Sequence, residues 1–248
     1  MLHIFADPSG MAGEYLQVEG SEYNHMANVL RMKKGEEVSV SGGEDGARYL
    51  YEIDSFGLDS VILKKKGLLS EESELPVRVI LFQGLPKSDK MEWIIQKSVE
   101  LGVTDIVPVS MKRCVMKLDP RKEGKKLQRW QAIAESAAMQ SKRARIPRVH
   151  PPMTMKEAVR MAEAESDLRV LPYELQEGSE GTRSMFSALE RGQSVSVFIG
   201  PEGGFDPAEV EEAASFGIRP ISLGRRILRT ETAAMVVLSW LIYRFEIA

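Results

Sequence analysis

Over the first 73 residues the hydrophobic positions come in short bursts, several of them alternating with polar ones, which is the period of a half-buried strand. His3-Ile4-Phe5-Ala6, Tyr15 to Val18, Glu37 to Val40, Tyr49 to Ile53 and Val61 to Leu63 predict five strands. Gly-rich turns such as residues 42–46 separate them. One helix interrupts the series, with Ser21 as its cap and Tyr23, Met26, Ala27 and Leu30 on its buried face. The pattern suggests a small β-barrel closed by one helix. Lys64-Lys65-Lys66 and the polar, acidic stretch from Leu68 to Pro76 read as a linker, which sets a boundary near Glu74 and divides the chain into domains 1–73 and 74–248.

Beyond that boundary the period changes. Apolar runs at Val77 to Gln83, Val103 to Val109, Leu168 to Leu171, Val195 to Ile199 and Pro220 to Leu223 predict strands, alternating with helices from Asp89 to Leu101, from about Lys122 to Gln140 and from Asp206. Asp89 with Glu92, and Asp206-Pro207 with Glu209, have capping-box spacing, and Gly102 and Gly217 stand where helices end. Alternation with short connections predicts an α/β domain with a mostly parallel sheet covered on both faces. On the helix from Asp89, Met91, Ile94, Ile95 and Val99 share one side, which leaves Lys90 and Lys97 free to face a partner. Trp93 reads as core rather than as a base-stacking platform, since this helix must pack on a sheet and no other aromatic lies near it in the chain.

Composition adds two constraints. The longest apolar run, Ala233 to Tyr243, is interrupted by Ser239 and falls short of the ~18 residues a span requires. With no basic, signal-like amino-terminus, a cytoplasmic address and no membrane partner are expected. The single Cys114 forms no internal disulfide and belongs to no metal-spaced cluster, so it reads as an apolar filler and no metal is expected. The formal net charge of -3 is unevenly spread: residues 76–150 carry 16 Lys and Arg against 7 Asp and Glu, a local net of +9. Such an excess attracts phosphate even on an acidic protein, since screening confines the field to roughly a Debye length; a solvated helix face is the plainer alternative.

The candidate chemistry lies in two loops about twenty residues apart. The strand from Val195 breaks into Gly200-Pro201-Glu202-Gly203-Gly204, and the strand from Pro220 ends at Leu223-Gly224, where Arg225 and Arg226 follow. Glycines let the main chain approach a ligand and Pro201 fixes part of the path, so two such strand ends suggest one crevice. Neither the dinucleotide nor the P-loop spacing of glycines is present, so phosphate cradling is poorly supported.

Ile199 to Phe205 together with Leu223 to Ala234 resembles the paired signature of the SPOUT methyltransferases, and within them the RsmE family, which methylates N3 of a uridine in bacterial 16S ribosomal RNA. Further similarity lies in His25 to Arg31 with Gly35, in Gly84 to Glu92 leading to Gln96 to Gly102, and in Ala137 to Arg143 leading to Ile146-Pro147. The resemblance implies an amino-terminal PUA-like barrel that binds RNA and a carboxy-terminal domain whose deep trefoil knot holds S-adenosylmethionine (SAM). It implies cofactor contacts at Leu171, Pro172, Ile199, Gly200, Pro201, Glu202, Gly203, Gly204, Leu223, Gly224, Ile227, Leu228, Arg229, Thr230, Thr232 and Ala233. Arg229 is the expected catalytic group, stabilising the uridine anion; Glu202 and Glu231 could accept a proton or be structural, and no residue is assigned as base. RNA contacts are expected at Arg31, Lys87, Lys90, Gln140, Lys142, Arg143, Arg145 and Arg148. Where the family usually has an Arg near the amino-terminus this chain has His3, which puts that phosphate contact in doubt. The partners implied are the small ribosomal subunit and a second copy of the chain, packed through Val236, Val237, Leu238, Leu241 and Ile242 of the last helix. Activity on tRNA or at a ribose 2′-hydroxyl, or an RNA-binding module with a vestigial SAM site, are the alternatives.

Overall fold

The computed structural model describes residues 1–42, 47–69, 73–87, 89–176, 178 and 180–248. The turn expected at 42–46 therefore lies outside the described residues from 43 on, as do Ser88 of the Gly84 to Glu92 stretch and residues 70–72 of the expected linker. The described chain forms two compact units, one of Met1–Glu74 with Ala138–Ile146 and one of Leu75–Ala137 with Pro147–Ala248.

In the first unit, strands β1 (Leu2–Phe5), β2 (Tyr15–Glu19), β3 (Glu37–Ser41), β4 (Arg48–Phe56) and β5 (Ser60–Leu68) form a mixed sheet in the order β1-β3-β4-β5-β2. β1 joins β3 in parallel and the other pairs are antiparallel. No β1–β2 pairing closes this sheet among the described residues, so it is a half-barrel rather than the closed barrel expected. Alternation works as the pattern demands: Val38, Val40, Tyr51, Ile53, Val61 and Leu63 are fully buried around Met26. Lys64, Lys65 and Lys66 lie within β5, where Lys64 opposes Tyr15 of β2, and so belong to the sheet, not to a linker.

The expected helix is short. Helix α1 (Gly20–Asn24) passes directly into a π turn at His25–Val29; Glu19 is its N-cap, and Ser21 sits inside the helix without capping it. The wider π spacing breaks the 3.6 period, so Met26 is buried while Leu30 is 47% exposed. His3 is buried and shares a 2.8 Å hydrogen bond with Ser39 Oγ. Burial, followed by the charge of Arg48, lowers its pKa to about 4 against opposing hydrogen bonds that the ring donates to backbone carbonyls, so the imidazole is neutral and offers no surface cation.

The second unit is a parallel sheet with strand order β12-β10-β11-β6-β7-β8, built from β6 (Arg78–Gly84), β7 (Asp105–Ser110), β8 (Arg148–Val149), β10 (Leu168–Pro172), β11 (Ser194–Ile199) and β12 (Arg219–Ile221). The short β9 (Met153–Thr154) also pairs with β7. Phe82 of β6 and Phe198 of β11 are register partners whose rings stack with centroids 4.4 Å apart, at the middle of a core that includes Ile80, Val107, Val159 and Leu171. Around the sheet run α2 (Lys90–Glu100), α3 (Pro120–Gln140), α4 (Met155–Glu165), α5 (Glu180–Ser187), α6 (Pro207–Ser215) and α7 (Thr230–Ile242).

Local signals account for several helix ends. Asp206 and Glu209 form the expected capping box, and Gly102 and Gly217 take the left-handed conformation at φ 92° and 72°. The Asp89 box does not form, because the Glu92 carboxylate instead accepts from Arg129 at 2.7 Å. A box at Thr154 and Glu157, with both reciprocal bonds made, starts α4, a helix that, like α5, is not among those expected above. On α2, Met91, Ile94, Ile95 and Val99 are buried as expected, whereas Trp93 is 45% exposed and not core. Lys97 is not free: its ammonium meets Glu100 at 2.7 Å.

Candidate active site

The carboxyl ends of β6, β10, β11 and β12 converge, and in a parallel sheet that edge is where ligands bind. Close approach is built into the strand ends. A Cβ on Gly84 would stand 2.7 Å from the Pro201 nitrogen and 3.0 Å from the Ile199 carbonyl oxygen, both backbone, so only glycine lets β6 and the loop after β11 meet. Gly204 holds φ at 69°, which turns that loop back toward α6.

Beneath these loops a buried chain of hydrogen bonds joins three segments. Gln83 Nε2 donates to Thr230 Oγ1 at 2.8 Å, and Thr230 Oγ1 donates to the Gly200 carbonyl at 2.6 Å. The end of β6, the loop after β11 and the first residue of α7 are thereby fixed to one another.

Above them opens a cavity of about 490 Å³, within the ~300–1,000 Å³ usual for small-molecule sites. Of the residues expected to hold a cofactor, Pro172, Ile199, Gly200, Pro201, Glu202, Gly204, Leu223, Gly224, Ile227, Leu228, Arg229, Thr230 and Ala233 line it. Three do not. Leu171 points into the core with Phe198; Gly203 packs on Arg113, whose Cβ would lie 3.1 Å from an added Cβ; Thr232 is exposed one residue before the lining Ala233.

Tyr173, Glu174, Phe205, Ser222, Arg225 and Arg226 also line the cavity. The signal that could have found Tyr173 and Glu174 is their place just past β10, which pairs with both β11 and β12.

Lys90 belongs here too. It ion-pairs with Glu202 at 3.2 Å and Glu231 at 3.3 Å, so it forms part of the cavity wall and is not the open phosphate contact expected. Burial pushes the Glu202 carboxyl up, but the Lys87 amide, its own amide and the Lys90 ammonium outweigh that and hold its pKa below the usual Glu value. A carboxylate so held is a weak base. Arg229, the N-cap of α7, is exposed at the cavity with no capping bond.

The structure separates the expected RNA contacts. Arg31, Gln140, Lys142 and Arg145 are exposed in the first unit, and Lys87 and Arg148 in the second. Arg143 is only 2% exposed: its Nε donates to Glu74 Oε1 at 3.2 Å and its Nη2 to Glu74 Oε2, while the same carboxylate accepts from the amides of Ala144 and Arg145. It holds residues 138–146 within the first unit and cannot reach phosphate. Cys114 packs beside the core with its thiol pKa raised by burial. No helix is long and apolar enough to cross a membrane, and no cluster of three or more metal-ligating side chains occurs, among the described residues.

Residues 73–242 match the RNA methyltransferase domain family and residues 18–66 the RNA methyltransferase PUA domain family. A curated relative from Bacillus subtilis, ribosomal RNA small subunit methyltransferase E, is 38% identical over 93% of this chain and 90% of its own. The chain belongs to the ribosomal RNA small subunit methyltransferase E family. The family member from Mycobacterium bovis is 33% identical over 95% of this chain and 88% of its own. A crystal structure of the family member from Neisseria gonorrhoeae bound to S-adenosyl methionine superposes with a TM-score of 0.84, at 27% identity, over 99% of this chain and 98% of that one.

Proposed function

We propose that this protein transfers a methyl group from SAM to N3 of a uridine in 16S ribosomal RNA of the small subunit, acting in the cytoplasm. The observation that carries the reading is the cavity at the carboxyl ends of β6, β10, β11 and β12 in a chain of this family. Its wall fits the cofactor's mixed chemistry. Ile199, Phe205, Leu223, Ile227 and Leu228 supply apolar surface, while Glu174, Glu202 and the glycine backbone supply polar partners. SAM brings an electrophilic methyl on a sulfonium; everything else falls to the protein.

Uridine N3 loses its proton only near the Tyr range, roughly pH 9 to 10, so its anion needs stabilising at neutral pH. Arg229 stays protonated and is suited to that electrostatic role, not to proton abstraction. The amino-terminal end of α7 lines the same cavity, and its dipole favours negative charge. Glu202, held ionised by Lys87 and Lys90, fixes the turn after β6 rather than serving as base.

The close passage of Thr230 beneath Gly200 and Gln83 supports a trefoil knot in this unit, as the family resemblance implies. A homodimer is the state we infer, through a surface narrower than the sequence suggested. Val237, Leu238 and Leu241 are fully buried within the chain, which leaves half-buried Val236 and Ile242 with exposed Trp93, Tyr243 and Ile247 to meet a second copy. Residues 1–73 are assigned to RNA binding and 74–248 to catalysis.

The test is transfer of labelled methyl from SAM to purified small-subunit particles, followed by nucleoside analysis. N3-methyluridine is the expected product, and Arg229→Ala should lower turnover by about 100-fold or more, as losses of oxyanion donors do. Label on a ribose hydroxyl, or none, would refute the assignment.

A further inference from the structure

The basic middle of the chain has its greatest density at residues 112–129, with eight Lys and Arg against two acids. This stretch lies wholly in the second unit and contains none of the residues assigned above to RNA. It starts at the turn after β7, where it is clamped to the cofactor loop. The Lys112 amide donates to Glu209 at 2.8 Å, Lys112 Nζ meets Asp206 at 3.2 Å, and Arg113 Nη1 donates to the Gly203 carbonyl at 3.2 Å. Gly203 stands between Glu202 and Gly204, both of which line the cavity, so the stretch begins at the cavity's rim.

It then runs into α3, which is two-sided. Trp130 and Ala134 are buried, while Arg121, Lys122, Lys125 and Arg129 fall within an arc of about 100° on the opposite side. The rise from Arg121 to Arg129 is about 12 Å. Arg129 is neutralised by Glu92. Lys117, Arg121, Lys122 and Lys125 are exposed with no ion pair among the described residues. A row of exposed cations that the fold does not neutralise is the electrostatic footprint of a polyanion.

We propose that Lys117, Arg121, Lys122 and Lys125 form an RNA phosphate-contacting surface that continues through Arg113 to the mouth of the cofactor cavity. The inference rests on the RNA methyltransferase reading and adds to it a continuous surface on the catalytic unit, besides the Lys87 and Arg148 contacts already expected there. RNA held there would reach the cavity without leaving that unit. The surface is polar and rim-placed, so it positions the backbone and reads no base.

The experiment is a triple variant, Lys117→Gln/Arg121→Gln/Lys125→Gln, compared with the unaltered protein for binding to purified small-subunit particles between 50 and 200 mM KCl. Three lost contacts should reduce the slope of log affinity against log salt by about 2 to 3, at roughly 0.7 to 0.9 each. SAM binding by calorimetry and the melting temperature should not change. Unaltered protein that binds particles, with an equal slope in the variant, would overturn this inference and leave the functional reading standing; the face would then be solvated or meet an acidic protein. Failure of the unaltered protein to bind particles would overturn the functional reading, and this inference with it.

Discussion

Removing Arg143 should cost stability and leave RNA binding intact, the reverse of what its place in a basic segment suggests. The side chain is 3% exposed and its partner Glu74 20% exposed, so the pair is largely desolvated. Breaking a buried pair from one side strands a charge, at about 3 to 5 kcal/mol. The two halves are not equivalent. Glu74→Gln leaves a guanidinium with almost no water, so it should fall in that range. Arg143→Met leaves a carboxylate that keeps the amides of Ala144 and Arg145, at 2.9 and 3.2 Å, and some water, so it should cost about 2 to 3 kcal/mol. At about 2 to 4 °C per kcal/mol for a chain of this size, the melting temperature should drop by roughly 6 to 20 °C for Glu74→Gln and by less for Arg143→Met. The double variant should cost less than the sum. Thermal and urea melts of all three measure this, and particle binding across a salt series measures the other half. An Arg143→Met protein of unaltered stability whose salt slope falls by nearly one contact would refute the reasoning.

Three further outcomes follow from single contacts. His3 is neutral with a folded pKa of about 4 against 6.5 unfolded, so the unfolded chain binds the extra proton between those values and stability falls as pH drops through that window. The loss should approach about 3 kcal/mol by pH 4, and urea melts of His3→Asn should lack that component; equal pH slopes would contradict it. Thr230→Val removes the hydroxyl that accepts from Gln83 and donates to the Gly200 carbonyl, leaving Gln83 Nε2 only its 3.0 Å bond to the Gly84 carbonyl, so SAM affinity should fall together with about 2 kcal/mol or more of stability, while Thr230→Ser should restore both, as read by calorimetry. Gly84→Ala sets a methyl against the Pro201 backbone at 2.7 Å, so weakened SAM binding is expected even where the protein still folds.

The parallel sheet and the two loops that line the cavity were legible because β-branched runs ending in glycine report both burial and close backbone approach, as at Ile199-Gly200 and Gln83-Gly84. The short helix near residue 25 was misjudged because a π turn has a wider period than the pattern assumes. Helix α4 was passed over although Thr154 and Glu157 carry its capping signal. Charge was the least legible feature: Lys90, Arg143 and Lys97 look alike in sequence, yet carboxylates distant in sequence claim the first two and a neighbour on its own helix the third. Sequence spacing fixes which helix face a cation occupies, but not which acid a fold brings to it.

The claim that the cavity between Gly200–Gly204 and Leu223–Leu228 is the SAM site is tested most directly by an electron-density map from crystals soaked in SAM. The account predicts density for the whole cofactor in that cavity, against Pro172, Gly200 and Leu223 and within reach of Arg229. A map showing the cavity empty at millimolar SAM, or the cofactor bound elsewhere on the chain, would contradict it.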